Sequence, residues 1–98
     1  MAKASVLKFH QKSDIFDHYL LELMILEIDD KARYPENIKY RLFFMDTRNQ
    51  KKILFDNHFP KKHHYHIDNL EFDYEFSDED KLIEDFKKLV YNIFGVRI

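Results

Sequence analysis

Histidine, aspartate, asparagine and lysine crowd into one stretch of this chain, Asp56-Asn57-His58-Phe59-Pro60-Lys61-Lys62-His63-His64-Tyr65-His66. Four of the six histidines fall within its last nine residues. Imidazole exchanges a proton near neutrality, its unperturbed pKa being about 6.5, and it is a common nitrogen ligand for transition metals. Three kinds of chemistry suit such a cluster: proton transfer, metal binding, and the grip of a phosphate-bearing partner. A blander reading makes the histidines surface residues of an edge strand, where they discourage edge-to-edge pairing.

Proton transfer makes the sharper use of these residues. Cleaving RNA without a metal needs a base for the 2′-hydroxyl, an acid for the departing 5′-oxygen, and a cation for the pentavalent phosphate. His64 and His66 stand two apart and share a face of any strand that carries them. Arg41 and the lysines supply the positive charge, and Asp56 is placed to orient one imidazole. His64, His66, Asp56 and Arg41 are therefore the candidate catalytic residues. Asn57, His58, Lys61, Lys62 and His63 are the candidate substrate contacts, His63 having the parity of the inward face. His64 and His66 with Asp56 or His58 would make only a partial metal set. There is no cysteine and no helical HExxH pattern, so no metal and no cofactor is expected. Tyr34, beside Arg33, is the one aromatic residue left open for stacking on a base.

Strand periodicity must position these groups. Ile38, Tyr40, Leu42 and Phe44 alternate with Lys39 and Arg41. A polar hairpin loop at 46–50 returns the chain through Ile53 and Phe55 to Asp56. Tyr65 and Ile67 resume the alternation, and after a turn at Asp68-Asn69 it continues with Phe72, Tyr74 and Phe76 inward. Glu71, Asp73 and Glu75 then face outward, where acids beside the histidines would repel phosphate. Upstream, residues 19–28 are apolar on both alternations and read as a central strand in preference to a buried helix. Residues 29–37 are a connection, and 1–13 form a flexible arm or an edge strand. Ser77 reads as the N-cap of a helix whose first turn holds Asp78, Glu79 and Asp80. Leu82, Ile83, Phe86, Leu89, Val90, Ile93 and Phe94 make its apolar stripe, and Gly95 its C-cap.

The fold expected is α+β: an antiparallel meander of four to five strands, with one C-terminal amphipathic helix packed on one face. Arg41, Asp56, His64 and His66 then lie on the opposite, open face. The 98 residues make a single domain, 1–98, whose 45% hydrophobic content and ten phenylalanines argue against disorder. A net charge of −2 gives no global field for nucleic acid, so any such binding needs a local patch. With one glycine, the chain has no glycine-rich phosphate loop. No apolar run approaches the length that spans a bilayer, and the expected location is the cytoplasm.

Several of these pieces together resemble the TumE-type toxins of prokaryotic toxin–antitoxin systems. They are Tyr40-Arg41-Leu42, Phe55-Asp56-Asn57, Phe59-Pro60, His63-His64-Tyr65-His66, and Phe76-Ser77 through Ile83-Glu84-Asp85-Phe86. The Asp-Asn and His-His-x-His pair is the specific part, and the resemblance spans roughly residues 18–94. It implies a small toxin of a type II system, neutralised by a cognate antitoxin that is expected to be a helix-turn-helix protein, with action on RNA admitted; a homodimer is a further arrangement to be expected of the chain. The expectation is thus a metal-independent ribonuclease using histidine acid–base catalysis. The alternative is a module that binds protein or nucleic acid without chemistry, its histidines serving as contacts or as an incidental metal site.

Overall fold

In the computed structural model the chain is described over residues 5–15 and 18–98, with side chains described from residue 18 onward. Six strands follow one another: β1 (Ser5–Ile15), β2 (Tyr19–Ile28), β3 (Ile38–Asp46), β4 (Lys52–Asp56), β5 (His64–Ile67) and β6 (Leu70–Asp73). Each pairs antiparallel with the next, so spatial order equals chain order. The expected meander is present, and the edge strand allowed by residues 1–13 extends it as β1, to six. Residues 19–28 are a strand, the preferred of the two readings.

Alternation divides the sheet into two faces. Leu21, Leu23 and Ile25, then Ile38, Tyr40, Leu42 and Phe44, then Ile53 and Phe55 are all buried. Helix α1 (Glu79–Phe94) lays Leu82, Phe86 and Val90, each 0% exposed, over that face. Phe86 meets Phe55 edge-on, with ring centroids 5.6 Å apart. Tyr74, after β6, donates from its hydroxyl to Asp85 of the helix at 2.6 Å. The other face has no covering element among the described residues. Its middle is more apolar than the expected charged face: Leu20, Met24, Leu26, Phe43, Met45 and Leu54 all stand half-buried there.

The helix begins one residue later than Ser77 implies. Asp78 is the N-cap, extended at φ −153° and ψ 172°, and its carboxylate accepts from the backbone N–H of Lys81 at 2.8 Å. The carboxylate reaches the third helical amide from that position, whereas exposed Ser77 lies one residue too early. Gly95 closes the helix at φ 71°, a left-handed conformation that costs glycine little, and donates to the Tyr91 carbonyl. Asp78→Ala should therefore lower unfolding free energy by about 1 kcal/mol. Ser77→Ala should change it little, and paired urea titrations of the two variants check the assignment.

Two connections frame the candidate site. In 29–37, buried Asp30 accepts from the Arg33 guanidinium at 2.6 Å, and Asn37 takes a left-handed φ of 60°. The turn between β5 and β6 is Asp68-Asn69, with Asp68 at φ 53°. It is clasped to β4: Lys52 N–H donates to the Asp68 carboxylate at 2.9 Å, and Asp68 N–H donates to the Lys52 carbonyl at 3.0 Å.

Candidate functional site

Register brings the predicted residues into one row. Arg41 stands opposite Asp56, Asp56 opposite His64, and His64 opposite Asp73. In the neighbouring row His66 stands between Leu54 and Glu71. All have the parity of the open face, so Asp56, His64 and His66 converge there as their alternation predicts.

The two histidines are not equivalent. His64 is buried, and both ring nitrogens are occupied by the protein. Nδ1 donates to the Lys62 carbonyl at 2.7 Å, since a carbonyl only accepts. Nε2 stands 3.0 Å from an Asp56 oxygen. That same oxygen accepts from the His58 backbone N–H at 3.3 Å, which ties the loop to the row. His66 keeps a ring nitrogen without a hydrogen-bond partner among the described residues. Its Nε2 lies 3.5 Å from Glu71, its side chain is 27% exposed, and its ring stands edge-on to that of His64 at 5.0 Å.

Glu71 is the residue that alternation alone undervalued. It was legible, because a two-residue turn at 68–69 sets residue 71 across from residue 66. Its carboxylate also pairs with the Lys61 ammonium. That hydrogen bond, helped by the nearby His64 and His66, holds the Glu71 carboxyl below the usual carboxylate range. The outward acids that would repel phosphate are thus partly neutralised from within. Nitrogen atoms of His64 and His66 and an oxygen of Glu71 all lie within 4.8 Å of one another, so a transition-metal ion could bridge them. Asp56 and His58 do not complete that set.

The other predicted residues divide. Arg41 shares the row, but its guanidinium turns to Glu22 at 2.6 Å and lies over the Phe43 ring. It is nevertheless 42% exposed. Asn57 is buried and spends its amide on backbone: its oxygen accepts from Tyr40 N–H and its nitrogen donates to the Ile38 carbonyl, both at 2.9 Å. It clamps the end of β4 to the start of β3. His63 takes the opposite face, as its parity predicts. Its ring stacks on Phe76 at 4.6 Å, and burial holds the Tyr40 phenol protonated to donate to Nδ1 at 3.0 Å. In the neutral imidazole Nε2–H then donates to Glu36 at 3.0 Å. Tyr34 is buried, with its hydroxyl accepting from the Phe59 N–H at 3.2 Å, and offers no ring to a base. Lys62 and His58 are exposed.

The family model described as Toxin TumE matches residues 3–94. No curated protein matches. No solved structure does either.

Proposed function

The chain belongs to the TumE toxin family, and from that premise we propose that it is the toxin of a type II toxin–antitoxin pair and cleaves RNA without a metal. The observation that carries this reading is the unequal pair of imidazoles on the open face. His66 has a carboxylate behind one nitrogen and leaves the other free, the arrangement of a proton-transfer group with an orienting partner. In our reading His66 takes the proton from the 2′-hydroxyl while Glu71 steadies the imidazolium that forms. His64 and Asp56 act behind it: the buried His64 ring, held between Asp56 and the Lys62 carbonyl, fixes the row. Arg41 and Lys61 add the charge that the pentavalent phosphate needs. His58, whose exposed ring follows Asp56 by two residues, is the candidate acid for the leaving oxygen. Asn57 serves by holding the strand ends, and Lys62 and His63 belong to the approach of the substrate. A cognate antitoxin, expected to be a helix-turn-helix protein, restrains this activity.

The test is cleavage of single-stranded RNA by purified protein in excess EDTA, alongside elemental analysis. Undiminished cleavage and substoichiometric metal are expected. One tightly held zinc per chain, with activity lost to EDTA, would reverse the reading and make His64, His66 and Glu71 the ligands to test.

A second reading has its own support. The half-buried apolar residues between the histidines and β1 suit a protein surface better than a nucleic-acid groove. In that reading the face grips a macromolecule and the histidines are contacts only.

A further inference from the structure

Loops 29–37 and 57–63 enclose a cleft of about 310 Å³, beside the open face, to which the acid–base reading assigns no ligand of its own. Arg33, Phe59, Lys61, Lys62 and His63 are among its lining residues. Phe59 is 45% exposed, one of three exposed aromatic residues among the described ones, with Phe72 and Tyr91. Its backbone N–H is held by buried Tyr34, so the loop that presents the ring is anchored. The Arg33 guanidinium, itself anchored on Asp30, lies 6.0 Å from the Phe59 centroid. Lys62 has no carboxylate partner among the described residues. Lys61 leaves the cleft to reach Glu71, which stands beside His66.

We propose that this cleft binds one nucleotide, its base against Phe59 and its phosphate on Arg33 and Lys62. An exposed ring flanked by cations is what single-stranded nucleic acid selects: the apolar face stacks on any base, and the cations track the backbone. The volume is at the small end of ligand cavities and fits one such unit. Lys61 links this subsite to the open face, so a nucleotide held here delivers its neighbour to His66. The inference rests on the RNA reading for its purpose and on the loops alone for its binding.

The experiment is calorimetric or NMR titration at fixed low salt with the four nucleoside 5′-monophosphates, inorganic phosphate, uridine, and a five-residue single-stranded RNA. Monophosphates should bind, phosphate or uridine alone should bind more weakly, and the pentamer should bind tightest. Phe59→Ala should weaken monophosphate binding roughly 5- to 150-fold, the loss of one stacked base. Phe59→Trp should preserve it. Lys62→Gln should weaken binding of every phosphorylated probe alike and lower its salt dependence. The ring is exposed, so Phe59→Ala should keep the wild-type melting temperature, which certifies the comparison. Equal binding of monophosphates by wild type and Phe59→Ala, or of phosphate and monophosphate by wild type, would overturn the subsite. Failure of the ribonuclease reading looks different: monophosphates bind in a Phe59-dependent way while wild type leaves RNA intact.

Discussion

His66→Lys is expected to bind RNA and no longer cleave it, losing about 10²–10⁴-fold in rate, the usual loss for a missing acid or base. Lysine keeps a cation at the same place on β5, and its reference pKa of about 10.4 prevents it from cycling a proton near neutrality. A purely electrostatic face would behave in the opposite way. Phosphate contacts respond mainly to charge, so lysine there would be tolerated or would tighten binding. Arg41→Ala is the companion variant: weaker binding with a smaller salt dependence is its expected signature. Cleavage rate and affinity must be measured together at one salt concentration. Wild type, His66→Lys and Arg41→Ala acting alike on RNA would remove the open face from the mechanism. The choice of His66 over His64 is itself part of the prediction, because both His64 nitrogens already face protein acceptors.

Phe86→Asp is expected to abolish cooperative folding. Phe86 is 0% exposed in the middle of the helix stripe, edge-on to Phe55 beneath it. Removing such a ring costs about 3–5 kcal/mol, and leaving a carboxylate unpaired in its place adds several more. Small domains have only about 5–15 kcal/mol in total. Circular dichroism and thermal melts should therefore show no native transition. A melting temperature equal to wild type would mean that α1 does not cover this face of the sheet.

Much of the architecture was legible because alternation states which side of a strand a residue takes. That is why His63 and His64, adjacent in sequence, could be assigned to opposite faces. Residues 19–28 were harder, since a strand apolar on both alternations carries the same letters as a buried helix. Here the outer alternation, Leu20, Met24 and Leu26, stays half-buried on an uncovered sheet. The helix start was displaced by one because Ser77 and Asp78 are both good caps, and only the path from β6 decides which carboxylate or hydroxyl meets the free amides. Glu71 could have been found by counting across the turn. Glu22 could not: its bond to Arg41 depends on how a long side chain bends between strands. Tyr34, left open for stacking, is buried instead, for a similar reason. A loop tyrosine can bury its ring when its hydroxyl finds a backbone amide, and the phenylalanine it supports is then left exposed.

The clasp between Asp68 and Lys52 sets a limit on how this chain can drift in length. Turn 68–69 has two residues, and each is counted in the pairing of His66 with Glu71. One residue added or lost there must either break the clasp to β4 or shift β6 by one position. A one-position shift exchanges the faces of Glu71 and Phe72, because the pleat has a period of two. Loop 47–51, at the opposite end of β4 from the Asp56–His64 pair, is tied as well: Thr47 N–H donates to the His18 carbonyl at 2.7 Å, and Gln50, at φ 61°, donates to the Asp46 carbonyl at 2.8 Å. Turn 68–69 is therefore expected to keep its length among descendants of this sequence even where its residues change.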